Sequence, residues 1–275
     1  MKLDYQNDQA ASLRKMMAAP RLKVISVLAA NNQESQESLV TNLASYMQFL
    51  GKDVLIIDNS EASKPNQYKL GKQPTLLDLC ITSEELSAGI KRLDDGVFVT
   101  RMMPKDKIQA PLSLDHIQKL NGSLQKLSDE YEILLVDLTL NNNEVPPIEI
   151  LAEGEILIQL NSHPESIKQA YALIKRICNQ LGRRPFGVIV NGTTQAKGEV
   201  IFKNIAQVAR RFMQVELSLY GVVPADEHLN RAEKLGRSVI DAFPLSEASV
   251  AFKSIAQTLG FEVPEPPPLS AGLNS

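Results

Sequence analysis

The chain has 275 residues, 44% hydrophobic and 22% charged, with a formal net charge of −3, an ordinary balance for a water-soluble globular protein with enough apolar residues for a large core. That balance argues against general electrostatic capture of nucleic acid or anionic membrane, though it leaves room for a local basic patch. Cys80 and Cys178 lack CxxC spacing, so neither a zinc site nor a disulfide framework is expected and both read as packed, reduced thiols.

Residues 1–20 form a polar-to-amphipathic lead without the apolar core of a secretory signal, and no stretch approaches the roughly 18 apolar residues that span a bilayer. A cytoplasmic location is expected. Residues 24–60, VISVLAANNQESQESLVTNLASYMQFLGKDVLIIDNS, read as a buried strand, a loop, an amphipathic helix and a second buried strand ending near Asp58. Leu39, Leu43, Tyr46, Met47 and Leu50 supply the helix stripe. Further strand-like runs stand at 97–99, 133–137, 156–160, 186–191 and 217–223. Helical periodicity joins Ile167, Ala170, Tyr171, Ile174, Cys178 and Leu181 on one face, and Ile201, Ile205, Val208 and Phe212 on another. A helix over 246–260 is the last folded element, and the proline-rich residues 262–275 read as a disordered tail. Alternating apolar strands and amphipathic helices predict one α/β domain over 21–261, three-layered, with a mainly parallel sheet covered by helices on both faces. Ligands on such sheets bind at the carboxyl ends of the strands.

A strand, loop and helix of this kind usually grips phosphate. The grip needs glycines that turn backbone N–H groups inward, the positive end of the helix, and a lysine. Here the loop is ANNQESQES, residues 30–38, with no glycine, no lysine and two glutamates, Glu34 and Glu37.

In these motifs the chain resembles the MinD/ParA family of deviant Walker-A ATPases, and within it the FlhG/FleN branch that sets flagellar number and position. Laid over the family loop KGGVGKT, Asn31 stands at the signature lysine, Gln36 at the phosphate lysine and Glu37 at the magnesium-binding hydroxyl, while Asn32, Gln33 and Ser35 replace glycines. VLIIDNS (54–60) resembles the family's strand ending in DAD and keeps Asp58. ILLVDLT (133–139) resembles the Walker-B strand and keeps Asp137. Asn191, ending IVN, matches a position whose asparagine reads adenine. HPESIKQAYALI, from His163, and GVVPADEHLNRAEKLGRSVID, from Gly221, resemble later segments of the branch, so the likeness reaches about residue 260.

The resemblance implies a MinD-like P-loop NTPase fold. The loop chemistry implies a degenerate pocket at Asn31, Asn32, Gln36, Glu37, Asp58, Asp137 and Asn191, with no cofactor, no metal and no catalysis. ATP brings close to four negative charges, and Glu34 and Glu37 oppose them by roughly several kcal/mol in a low-dielectric pocket. The residues also have plainer readings. Asn31 caps the helix with Glu34 at capping-box spacing, and acids near the helix start favour its dipole by about 0.3–1 kcal/mol each. Asp58 and Asp137 read as loop-starting residues, and Asn191 before Gly192 as a turn residue. A self-capped empty pocket, another ligand and residual ATP binding stay open. His116, His163 and His228 are dispersed and show no ligand spacing.

At the head, Asp8, Gln9, Ala10, Leu13 and Arg14 match the branch pattern DQAxxLR, a helix that in that branch docks on the signal-recognition-type GTPase FlhF and stimulates it. A short helix is marginal alone and gains order by packing on a partner. Folding back on its own domain, or a disordered lead, is the alternative. At the other end the family's basic amphipathic helix is expected to be absent or badly weakened, because residues 251–261 hold one lysine, Lys253. Stable membrane binding and an ATP-driven dimer are therefore not expected. The resulting expectation is a non-catalytic FlhG/FleN-like regulator of flagellar or polar-organelle assembly, cytoplasmic or recruited to a cell pole. It would act by protein binding, to an FlhF-type GTPase, with no nucleic acid. Rival readings are an active ATPase with an unusual loop and an adaptor in chemotaxis or secretion.

Overall fold

The computed structural model describes residues 23–30, 36–60, 68, 70–108, 110–140 and 145–261. The lead 1–20, Asn31, Asn32 and the tail 262–275 lie outside these residues. The strands are β1 (Lys23–Ala29), β2 (Val54–Asn59), β3 (Lys91–Arg92), β4 (Phe98–Arg101), β5 (Ile133–Leu138), β6 (Glu155–Asn161), β7 (Phe186–Asn191) and β8 (Leu217–Val223). They form one sheet in the order β3-β4-β2-β5-β1-β6-β7-β8, parallel throughout except for the β3–β4 pair. The run read at 97–99 falls on β4, whereas the two-residue β3 is not legible in the sequence.

β2 and β5 are buried at every position, as strands covered on both faces must be. One face carries α1 (Gln36–Phe49), α7 (Glu227–Leu235), α8 (Val239–Ala242) and α9 (Glu247–Thr258) over Ile25, Ile56, Leu135 and Leu157. The other carries α2 (Leu76–Thr82), α3 (Leu114–Glu130), α4 (Glu149–Glu153), α5 (Pro164–Leu181) and α6 (Gln195–Met213) over Leu28, Ile57, Val136 and Ile158. The three-layer parallel architecture is the expected one. No described helix is long and apolar enough to cross a membrane.

The α1 stripe sits as read, with Leu39, Leu43, Tyr46 and Met47 buried. The faces of α5 and α6 are turned. α5 buries Ser166, Ala170, Leu173, Ile174 and Ile177. α6 buries Gly198, Ile205 and Ala209, while Val208 and Phe212 of the expected stripe are 40% and 66% exposed. On α6 the cause is close approach: a Cβ on Gly198 would lie 2.4 Å from Val222 Cγ2, so the small residues face β8.

α1 is tied to α8 by polar groups in the core. Asn42 Oδ1 accepts from the Val239 amide at 2.6 Å, its Nδ2 donates to the Ser38 carbonyl at 2.7 Å, and the Ser45 and Ser238 hydroxyls meet at 2.7 Å. Asn42→Ala orphans the Val239 N–H and is expected to destabilise the fold by about 1–3 kcal/mol in urea unfolding, with an unchanged far-UV spectrum.

Candidate functional site

At the carboxyl edge of the sheet, Arg101, Asp58 and Asp137 form one row across β4, β2 and β5, because Asp58 is the register partner of both others. Asp58 and Asp137 are wholly buried; they are interior groups rather than the loop-starting residues that strand ends suggest. Asp58 Oδ2 accepts from Arg101 Nε at 3.2 Å, and Oδ1 accepts from the Ser60 amide and hydroxyl at 3.0 and 2.7 Å.

Asp137 is held from both sides. Gln36, the first residue of α1, donates through Nε2 to Asp137 Oδ1 at 2.5 Å and to the Val27 carbonyl at 2.7 Å, with the Leu138 carbonyl at 3.2 Å. Its Oε1 accepts from the Ala29 amide at 2.6 Å. The Tyr68 hydroxyl donates to Asp137 Oδ2 at 2.8 Å, and the Tyr68 amide donates to Glu37 Oε1 at 3.3 Å. Tyr68 is fully buried. Of the sequence-read positions, Gln36, Glu37 and Asp137 thus join through Tyr68 in one hydrogen-bonded set, and Asp58 stands beside Asp137 in the strand register.

Burial pushes the Asp137 carboxyl up to about 7, with the Asp58 and Glu37 charges acting the same way, against the pull of the Tyr68 and Gln36 hydrogen bonds. Burial first, then the Asp137, Glu37 and Asp58 charges, also holds the Tyr68 hydroxyl well above its usual range. It is a neutral donor under all ordinary conditions.

Asn191 stands apart from this network. It ends β7, Gly192 follows with φ +67°, and both line a cavity of about 400 Å³ together with Val223, Pro224, Asp226 and Asn230. The Asn191 Oδ1 atom is buried without a hydrogen-bond partner, as are both polar atoms of Gln159 and of Asn59. His163 is exposed, His116 is half-buried, and His228 Nδ1 lies 2.7 Å from Asp226 Oδ1 at the start of α7. Cys80 and Cys178 are free and half-buried. Among the described residues no group of three or more His, Cys, Asp or Glu is placed to hold a metal.

No protein-family model matches the chain. It is 29% identical over 248 residues to the antiactivator FleN of Pseudomonas aeruginosa, covering 89% of each chain. The chain is thus similar to FleN over most of its length. An uncharacterized ATP-binding protein of Methanocaldococcus jannaschii is 26% identical over 243 residues, covering 86% of each. Among solved structures, MinD in a MinC:MinD cell division complex from Aquifex aeolicus superposes with a TM-score of 0.65 at 20% identity, covering 87% of this chain and 96% of that one. MinD of Pyrococcus furiosus gives 0.63 at 16%, covering 86% and 98%. The fold is therefore MinD-like.

Two members of the network, Tyr68 and Arg101, escaped the sequence reading. Tyr68 is a lone aromatic in a polar run, KPNQYKL, and Arg101 closes a short strand. Both have unremarkable local sequence; the strand order puts Arg101 beside Asp58, and only the tertiary structure brings Tyr68 to Asp137.

Because the folded carboxyl of Asp137 binds its proton more tightly than an unfolded one at 3.8, this group lowers stability as pH rises from about 4 to about 7, by on the order of 4 kcal/mol in full. Asp137→Asn, which keeps an acceptor for Gln36 and loses the charge, should remove that decline in urea titrations from pH 4 to 8. Tyr68→Phe deletes a donor to the charged form, so its cost should be about 1.5–3 kcal/mol at pH 8.5 and smaller at pH 5.5.

Proposed function

We propose that this chain is a non-catalytic, FleN-like regulatory protein, a pseudo-ATPase that acts by binding other proteins in flagellar or polar-organelle assembly. The observation that carries this reading is the double hold on Asp137, whose two oxygens are engaged by Gln36 and Tyr68. The residues present do not fit a magnesium-bound triphosphate. A metal-binding carboxylate must be ionised and reachable through water, whereas Asp137 is buried and its proton affinity raised. Glu37 adds a negative charge where a hydroxyl would serve magnesium, and Gln36 supplies no cation. Loss of the phosphate-loop glycines acts in the same direction.

Calorimetry and thermal melting with ATP, ADP or GTP plus magnesium should give no binding up to roughly millimolar ligand and no rise in melting temperature, since any ligand of the folded state stabilises it. A shift of several degrees with MgATP defeats the reading. Gln36→Lys alone should not restore binding, for it leaves Glu34, Glu37 and Tyr68 in place and takes the acceptor away from the Ala29 amide.

The partner side rests on homology to an antiactivator and on the motif at Asp8, Gln9, Ala10, Leu13 and Arg14, all outside the described residues. These residues are assigned to docking on an FlhF-like GTPase. Deleting residues 1–19 should leave the melting transition intact and abolish that binding. Leu13→Ala should weaken it by about 1–3 kcal/mol if the leucine is a central anchor, and Gln9→Ala should reduce stimulation of GTP hydrolysis. Retained binding after the deletion moves the working surface to the α/β domain.

A further inference from the structure

α5 and α6 lie on the same face of the sheet, packed through Ala170, Leu173, Ile174, Ile177 and Ile205. From Pro164 to Gln214, the start of α5 to just past the end of α6, the chain carries nine Lys and Arg against two Glu. This is a local excess of seven positive charges in a protein of net charge −3, so everything outside the segment sums to −10. The cations are not there to solubilise a uniformly basic molecule.

Most of them stand in solvent. Lys175, Lys197, Lys203, Arg210 and Arg211 are exposed. Arg184 is committed elsewhere, to the carbonyls of Ala152 and Gly154 at the end of α4. The same surface exposes Val200 at 56%, Val208 at 40% and Phe212 at 66%. Val208 and Phe212 are one helical turn apart, and Val200 is two turns before Val208, so the three run along α6 as an apolar strip among cations. The Arg211 guanidinium is 5.3 Å from the Phe212 ring centre, which keeps a charge beside the most exposed apolar group.

We propose that the outer surface of α5 and α6 is a docking face for an acidic amphipathic segment of a partner protein. Its carboxylates meet Lys203, Arg210 and Arg211, and its apolar side covers Val200, Val208 and Phe212. An apolar strip inside a charged rim is the composition of a protein interface. A nucleic acid fits less well on two grounds. Its phosphates have nothing to set against valine and phenylalanine, and a long polyanion extends past the patch onto surface that sums to −10. An extended anionic bilayer meets the same repulsion. The proposal uses none of residues 8–14 and stands whether or not those bind a GTPase.

Fluorescence anisotropy on the full chain tests it with three probes of equal charge: a 20-residue amphipathic Glu/Leu/Ala helix, a 20-residue glutamate-rich peptide without apolar residues, and a short DNA duplex. The amphipathic peptide should bind tightest, more weakly as salt is raised. Both Lys203→Glu/Arg211→Glu and Val208→Ser/Phe212→Ser should weaken it by about tenfold or more, roughly 1.4 kcal/mol, with unchanged melting. Equal or tighter binding of DNA or of the apolar-free peptide overturns the proposal in favour of a plain polyanion site. Vesicle co-sedimentation that is lost in both variants overturns it in favour of membrane, and self-association lost in both overturns it in favour of a second copy. Absence of binding, or variants that bind as the parent does, overturns it outright.

Discussion

Asp137 brings a carboxyl into a place closed to bulk solvent, one strand away from a second buried carboxyl, Asp58. Two such groups cannot both ionise there without compensation, since the desolvation of each costs several kcal/mol and their repulsion adds to it. The fold meets the constraint asymmetrically. Asp58 receives a cation, Arg101, which the register of β4 delivers beside it. Asp137 receives two neutral donors and a raised proton affinity. The rest of the carboxyl edge follows from this division: where α1 begins, why an aromatic hydroxyl is driven inside at Tyr68, and why β4 must pair with β2.

Gln36 does more here than fail to be a lysine. An amide both donates and accepts, so a single side chain satisfies Asp137, the Val27 carbonyl and the Ala29 N–H. An ammonium has no acceptor and would leave the Ala29 N–H, at the end of β1, without that partner. The amide therefore closes the strand onto the helix with the protein's own atoms. Tyr68 closes the other side with a hydroxyl that stays protonated. Hydrogen bonds to a charged or partly charged group are the stronger kind, so the closure is coupled to the protonation of Asp137.

Much of this molecule could be read from its residues because the deciding forces were local. Apolar runs such as ILLVDL and VLIIDN admit burial on both faces and hence a parallel sheet. Gln36, Glu37, Asp58 and Asp137 were placed by motif position and do meet in space. What escaped was decided by tertiary approach. The stripe read for α6 favoured large side chains, yet the sheet wants small ones, and Gly198 and Ala209 take the contact that Val208 and Phe212 were expected to make. Tyr68 and Arg101 carry no periodic or motif signal; the value of Arg101 appears only when the order β4-β2-β5 puts Asp58 beside it, and that of Tyr68 only when its buried hydroxyl meets Asp137.

The two unusual features lie on opposite faces of the same sheet. The Asp137 network faces α1, with α7, α8 and α9 on that side, while the exposed strip and the cations belong to α5 and α6 on the other. Between them stand β1, β6 and β7, whose central residues are buried and packed as tightly as a protein interior. A signal from one face to the other must move those strands, and a sheet bonded along every register pair resists that. On the proposed reading, in which Gln36 and Tyr68 hold Asp137 and no nucleotide binds, the α5–α6 surface is always presented. The same reading puts regulation in the concentration and charge state of the proposed partner segment rather than in a conformational cycle of this chain.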